Sequence, residues 1–433
     1  MLQYFLFGIT ILYLLVYGYV KVKYPFWNNQ PVFHTYDYWR MFYREPFVIY
    51  KYRPIKTKFC NFLDIKTHPY LDTPSEEKKE VLYLLKSNYI SSDRIMLTLE
   101  EKQLDAIYCG HIEKCFISYY YSSVFKVNSD PDSHQDPIKE RIICDKKIIG
   151  CLMSNPVKIY YKNTDTDKIY TEFSLYYMDY LCINKEDNIE FGKDKKMIQH
   201  NKTKKIRELF QTHEYNQRIE NSQIVGSLIK REIELFEGIV PLIQYITYIY
   251  HLRNLVFPPL PKHYYIIQVD LENIDLLTDF LYIKTHLDLE KSPNHLSFLS
   301  VTSLGNYIEL IKQNMCYVFC LKSGEYIYGM YFFKDARMQY EDIEGNTLQF
   351  YGSFMNTDSF PLFYLGFLHS IHQIVKKFPE FKMLIFENLG DNMKIHEKWR
   401  EKNTPVFENK TAYYTFNWIY PSSPIITEKC LFL

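Results

Sequence analysis

The first twenty residues, Met1 to Val20, are mostly apolar and carry no charged side chain. As a helix, twenty residues span about 30 Å, the thickness of a bilayer core. Lys21 and Lys23 follow, and nothing basic precedes the run except the amino terminus. The pattern predicts an uncleaved single-pass membrane anchor over residues 1–23, with the rest of the chain on the cytoplasmic side. A removed signal peptide or a docked arm are the alternatives. Next, Tyr24-Pro-Phe-Trp-Asn-Asn-Gln-Pro-Val32 reads as extended backbone set by two prolines, with Phe26 and Trp27 offering an apolar surface.

Further on, polar and apolar positions alternate with readable periods. Thr73-Pro-Ser-Glu76 opens a helix with the apolar stripe Val81, Leu82, Leu84 and Leu85. A second helix is expected over 100–109. The stretch 141–153 reads as a hairpin turning at Asp145–Lys147, with strands at 157–162 and 170–183 extending the same sheet. A charged stretch ends in Lys202, Lys204 and Lys205, directly before a helix expected at 206–218. Lysines before a helix N-terminus favour an anion, although charge runs are also ordinary solvated surface. Strands are expected at 225–229 and 264–269, and a helix at 272–284. A second hairpin, Met315–Leu321 and Tyr326–Phe333, turns at Lys322-Ser-Gly-Glu325. Then come a helix opened by Ser359-Phe-Pro361 with Leu362, Leu365, Leu368, Ile371 and Val375 on one face, a strand at 383–386, and a helix after Asn388–Asn392. The last strand is expected at Tyr413–Trp418. Hairpin, helix and strand thus recur, which predicts two copies of one mixed α/β unit.

Composition narrows the function. The 433 residues include 51 basic and 51 acidic side chains, a balance that argues against a nucleic-acid platform. The nine cysteines form no Cys-x-x-Cys pair and read as reduced thiols. The histidines are scattered; His369 and His372 share a helix without a placed partner, so no metal site is expected. No Gly-rich phosphate loop occurs. The chain closes on Glu428-Lys-Cys-Leu-Phe-Leu433. An apolar end of this kind is expected to be buried, and a carboxylate taken into a fold must be paired or used.

Four stretches together resemble N-myristoyltransferase, the duplicated acyltransferase of the GNAT fold, in the divergent form found in large DNA viruses. They are Phe26-Trp-Asn-Asn-Gln-Pro-Val32, Asp179-Tyr-Leu-Cys-Ile-Asn-Lys185, Gln211-Thr-His-Glu-Tyr-Asn-Gln-Arg218 with Gly238-Ile-Val-Pro-Leu242, and Tyr413–Leu433. The resemblance implies two tandem GNAT-like units in one saddle-shaped mixed sheet. Residues 24–262 would bind acyl-coenzyme A, and residues 263–433 would bind the peptide and supply the C-terminal carboxylate. It further implies transfer of a myristoyl group from myristoyl-coenzyme A to a protein's N-terminal glycine, with no cofactor beyond that substrate.

On the same resemblance the terminal carboxylate of Leu433 is the general base. The backbone N–H groups of Tyr180 and Leu181 receive the oxyanion, and Ser227 keeps a hydroxyl near the amine. Phe26, Trp27, Lys202, Lys204 and Lys205 hold the cofactor end. Asp179 stands where the family has Asn. The family's acidic run, which attracts basic peptides, is replaced by Ser91-Ser-Asp93 with Arg94 adjacent, so a preference for basic peptides is not expected. Burying a dozen methylenes at ~0.8 kcal/mol each would give on the order of 10 kcal/mol for the acyl chain. A different GNAT-type acyltransferase and a non-catalytic, membrane-anchored peptide- or lipid-binding protein of the same fold remain the alternatives.

Overall fold

The computed structural model describes the chain apart from residues 1, 38, 40, 41, 91–94, 128–141, 163–169, 185–194, 254, 288–295 and 342. The amino-terminal run forms helix α1 (Leu2–Lys23). Tyr4, Phe7, Leu12, Leu15 and Val22 on it are each more than half exposed. Among the described residues, however, no helix is long and apolar enough to cross a membrane, so the expected membrane-spanning anchor is not supported.

A short strand β1 (Phe47–Val48), β2 (Ile65–Pro69) and helix α2 (Ser75–Asn88) follow. Pro74 takes the cap position of α2 and Thr73 is buried one residue outside it. Next are β3 (Ile95–Leu97) and α3 (Glu101–Tyr108), the latter closed by a reciprocal capping box between Glu100 and Gln103. Strands β4 (Phe116–Val127) and β5 (Ile142–Tyr161) then form one long antiparallel ribbon. The expected turn at Asp145–Lys147 is absent: these residues pair with Val124, Ser123 and Ser122. Isoleucine pairs on both sides of the charged triplet favour extended backbone, and β4 supplies the partner strand.

The first half continues with β6 (Thr171–Ile183), α4 (Lys195–Glu220), β7 (Ser227–Glu232) and β8 (Ile243–His251). Then come β9 (Tyr265–Val269), α5 (Asp275–Tyr282), β10 (Phe298–Val301) and α6 (Leu304–Lys312). The second hairpin is β11 (Cys316–Ser323) and β12 (Tyr326–Tyr340), turning at Gly324 with φ 57°. Strand β13 (Ile343–Met355), helix α7 (Phe360–Lys377), β14 (Phe381–Glu387), α8 (Asn392–Arg400) and β15 (Phe407–Phe416) complete the pattern. Two short strands, β16 (Trp418–Ile419) and β17 (Cys430–Phe432), end it.

One large mixed sheet runs β17-β10-β5-β6-β7-β15-β8-β14-β13-β12-β11-β9. Each half contains a parallel pair joined by a crossover helix: β6-α4-β7 and β13-α7-β14. Both pairs stay together only briefly and then diverge as a fork. In the first, pairing stops after Met178 and Ile229; in the second, after Phe350 and Phe386. Helix α7 buries Leu362, Phe363, Phe367, Leu368, Ile371 and Ile374 against Tyr331, Phe333, Phe350 and Phe386. Each such side chain is worth ~1.5–3 kcal/mol when fully buried.

Candidate active site

At the mouth of the first fork the β5–β6 ladder skips. Cys151 faces Cys182, but Met153 faces Asp179, so Tyr180 and Leu181 form a bulge between them. Tyr180 has φ 54°, a left-handed conformation unusual for a bulky residue. Bulges re-aim backbone groups, which is what an oxyanion-binding pair requires. The Tyr180 N–H nevertheless already has a partner, donating to Asp179 Oδ1 at 2.7 Å. Tyr89 Oη donates to the same oxygen at 3.0 Å. Burial pushes the Asp179 carboxyl above its ordinary range, and these two donors pull it back only in part.

Past the fork, β7 carries Lys230. Its Nζ lies 2.7 Å from Glu387 Oε1 on β14 and 3.0 Å from Glu232 Oε1. Tyr245 Oη donates to Glu387 Oε2 at 2.8 Å, and the Gln349 side-chain amide donates to Oε1. Burial opposes both charges. The mutual attraction wins, holding the Lys230 ammonium well above and the Glu387 carboxyl below their ordinary ranges. Lys334 on β12 acts on the same group of charges, with its Nζ 5.5 Å from the Tyr351 ring centroid.

The chain's last residues come to this place from the other side. Strand β17 runs parallel to β10, and the Leu433 N–H donates to Ser300 O at 2.7 Å. Leu433 is half-buried and lies against Gly352, where an added Cβ would fall 2.6 Å from Leu433 Cδ2 and 3.1 Å from Leu431 Cδ1. Phe432 stacks on Tyr413 at 4.0 Å and 5°. Tyr413 in turn lies 6.4 Å from Tyr177, two positions before Asp179. A continuous row of rings thus links the chain's last residues to the first fork.

The other expected site residues divide. Phe26 is buried against Phe59 and Phe210, and Trp27 packs on Phe236. Both share one apolar cluster with Met178, Leu181 and Ile206, so the fold brings them to the fork. Lys202, Lys204 and Lys205 do not precede a helix. Helix α4 begins at Lys195 and they lie within it, so its N-terminal dipole does not act on them. The added turns are built from good helix formers such as Lys, Met and Gln. Lys204 pairs with Glu208 at 3.8 Å.

Ser227 is fully buried and faces α4: its Oγ donates to Glu214 Oε2 at 2.7 Å and accepts from Gln217 Nε2 at 2.9 Å. Burial pushes Glu214 up to about 7. Residues 91–94 lie outside the described residues. Among the described residues no three His, Cys, Asp or Glu side chains gather to hold a metal ion, and the described cysteines are free.

Sequence reasoning missed Lys230, Glu387, Lys334 and Tyr89. For the charged residues the available signal was a charge closing an otherwise apolar run, as in Met383-Leu-Ile-Phe-Glu387 and Tyr331-Phe-Phe-Lys334.

No protein-family profile matches this chain, and no curated protein sequence does. Solved structures do. Saccharomyces cerevisiae N-myristoyltransferase with bound myristoyl-coenzyme A superimposes with a TM-score of 0.58 at 12% identity, covering 92% of this chain and 93% of the yeast protein. A second structure of the yeast enzyme with myristoyl-coenzyme A gives 0.58 at 11% identity, over 91% and 87% of the two chains. A third, with myristoyl-coenzyme A and inhibitors, gives 0.56 at 11%, over 93% and 92%. At such low identity over nearly the full length of both proteins, what is shared is the backbone architecture: this chain has the fold of N-myristoyltransferase.

Proposed function

We propose that the chain transfers a myristoyl group from myristoyl-coenzyme A to the N-terminal glycine of acceptor proteins. The observation that carries this reading is the meeting of two features: the Tyr180–Leu181 bulge at the first fork, and the Leu431–Leu433 segment seated on Gly352 and tied to that fork through Phe432, Tyr413 and Tyr177. Residues 24–262 would take acyl-coenzyme A, with Phe26 and Trp27 beside Leu181. Lys202, Lys204 and Lys205 on α4 would meet its phosphates. Residues 263–433 would bind the peptide.

A glycine amine has an ordinary pKa of about 7.7–8.0 and arrives mostly as ammonium. The Leu433 carboxylate accepts its proton. The freed nitrogen attacks the thioester carbonyl, and the oxyanion forms at the Tyr180 and Leu181 N–H groups. The C–S bond then breaks, the nitrogen gives up its second proton, and coenzyme A leaves as the thiol. The Ser227 hydroxyl, expected near the amine, is instead committed to Glu214 and Gln217 on α4 and takes no part in the proposed step.

The test uses myristoyl-coenzyme A and a peptide beginning Gly-x-x-x-Ser, followed by thiol release and by the mass of the acylated peptide. Turnover by the parent chain, largely lost when one residue is added after Leu433 or Leu433 is removed, is the expected result. Tight binding of myristoyl-coenzyme A without turnover favours instead a non-catalytic acyl-coenzyme A-binding protein. The Asp179 carboxylate on the Tyr180 N–H is the observation that speaks for that second reading.

The reaction is proposed to occur at the cytoplasmic face of a membrane, with α1 as the lipid contact. Phe7, Leu12, Leu15 and Val22 on it are exposed, and Lys21 and Lys23 sit 4.5 and 5.7 Å from the Tyr17 and Tyr19 rings at its end, the residue types that gather at membrane interfaces. Flotation of the full chain with liposomes, but not of residues 24–433, is expected; equal flotation of both removes α1 from this role.

A further inference from the structure

We propose that Lys334 selects the acceptor, receiving an acidic side chain of the peptide close behind its N-terminal glycine; this rests on the acyl-transfer reading above. Three observations carry it. The first is position. Lys334 pairs with Gln349 across β12 and β13, and its Nζ lies over the Tyr351 ring. The residue after Tyr351 is Gly352, on which Leu433 sits. The ammonium is therefore one residue step from the segment that would take the amine proton.

The second is access. The Lys334 side chain is exposed to solvent, although charges on β6, β7 and β14 all act on it. An exposed ammonium among those charges is reachable by a ligand.

The third is charge. The neighbouring cation, Lys230, has two carboxylates of its own, Glu387 and Glu232. Lys334 makes no ion pair among the described residues. Desolvation lowers its ammonium pKa first, and the Lys230 charge lowers it further. Glu387, Asp179 and Glu232 offset this in part from a distance. A solvent-facing ammonium with no ion-pair partner of its own can still gain a charge-assisted hydrogen bond from an incoming carboxylate.

Two other anions must be told apart from the peptide: a phosphate of coenzyme A and the chain's own terminal carboxylate. The experiment uses the full chain, myristoyl-coenzyme A, a neutral peptide Gly-Asn-Ala-Ala-Ser-Ala, and variants carrying Glu or Lys singly at positions 2 to 6. With the parent, one of the Glu peptides is expected to exceed the neutral peptide about tenfold in kcat/KM, through KM. Lys334→Gln abolishes that advantage, bringing the KM of the Glu peptide to that of the neutral peptide measured with the same variant. Lys334→Glu moves the preference to the Lys peptide at the same position.

Equal use of Glu and neutral peptides by the parent overturns the proposal. So does a fall in kcat of equal size for every peptide in Lys334→Gln, which assigns Lys334 to the terminal carboxylate. A tenfold weaker affinity for myristoyl-coenzyme A with unchanged peptide ranking assigns it to phosphate. Turnover of the neutral peptide reports separately on the acyl-transfer reading. Should that turnover be absent, anisotropy of the labelled Glu peptides still decides: binding that Lys334→Gln does not weaken overturns the proposal.

Discussion

Helices α4 and α7 occupy the same place in two copies of one topology, each crossing from one arm of a fork to the other. Both bury apolar side chains, Leu209 and Phe210 on α4 among them, but α4 also buries a run of polar groups. Helix α7 meets its sheet with Phe363, Phe367 and Ile371, all fully buried. Helix α4 meets its sheet with Thr212, His213, Glu214 and Gln217, equally buried. His213 lies between Ser118 Oγ at 2.8 Å and Ser154 Oγ at 2.9 Å, and burial holds its imidazole neutral, down to about 3. Ser154 donates to Gln217, and Gln217 and Ser227 both bond Glu214.

An apolar face tolerates small shifts because dispersion and desolvation have no direction. A buried polar network fixes one register, since every displaced donor leaves an acceptor without a partner. The first fork therefore has its arms set in part by directional bonds, which suits the backbone N–H alignment proposed for it. The second fork combines packing with directional bonds: Leu431 and Leu433 fill the space over Gly352, while the Met355 N–H donates to Asp391 Oδ2 at 2.8 Å and Ser353 Oγ donates to Asn392.

This contrast can be broken at four points. The largest effect is expected at the ion pair that ties the forks together. Glu387→Ala leaves the Lys230 ammonium without its main partner and should cost about 3–5 kcal/mol in urea unfolding. A loss below about 1 kcal/mol would mean that the two forks are not coupled through this pair.

Next is the polar face of α4. Glu214 has a pKa of about 7 in the fold against an ordinary 4.5, so the folded chain holds its proton more tightly than the unfolded one. Stability from this group is full below about pH 4.5, declines as pH rises, and is lost by about pH 7. The decline amounts to about 3 kcal/mol. Glu214→Gln should remove it, as the difference between the two stability–pH curves; superimposable curves would refute the buried carboxyl.

Third, Gly352→Val puts a side chain where Leu433 now lies. A stability loss of about 1–3 kcal/mol is expected from overpacking, with acyl transfer falling by more than the unfolded fraction explains. Unchanged turnover would detach residues 431–433 from the chemistry.

The smallest change is Asp179→Asn. It removes a negative charge from beside the expected oxyanion while keeping an acceptor for the Tyr180 N–H. A rise in kcat of about tenfold, ~1.4 kcal/mol, is expected. A fall in kcat would instead make Asp179 a proton acceptor.

Much of the fold was legible wherever neighbours in sequence are neighbours in space. The Lys322–Glu325 turn, the α7 stripe and the strand before Asn388 needed only local sterics and a period of 3.6 or 2. The reading failed where a distant partner decided. Asp145-Lys-Lys looks like a turn until β4 pairs with it, and residues 195–205 look like a loop until they continue α4. At the site, Tyr180, Leu181, Phe26 and Trp27 came from a motif, and the fold gathers them. Lys230 and Glu387 belong to no motif, because they are 157 residues apart and each alone reads as an ordinary strand-end charge.

By itself, then, the sequence determined the hairpin–helix–strand pattern of the second half and an apolar final segment, because turn chemistry and side-chain periodicity act over a few residues. Only the tertiary structure decided that Leu433 rests on Gly352, that Asp179 takes the Tyr180 N–H, and that Lys230 rather than Lys334 is neutralised. Those outcomes depend on which groups lose water together, and desolvation is a property of the packed sheet rather than of any stretch of chain.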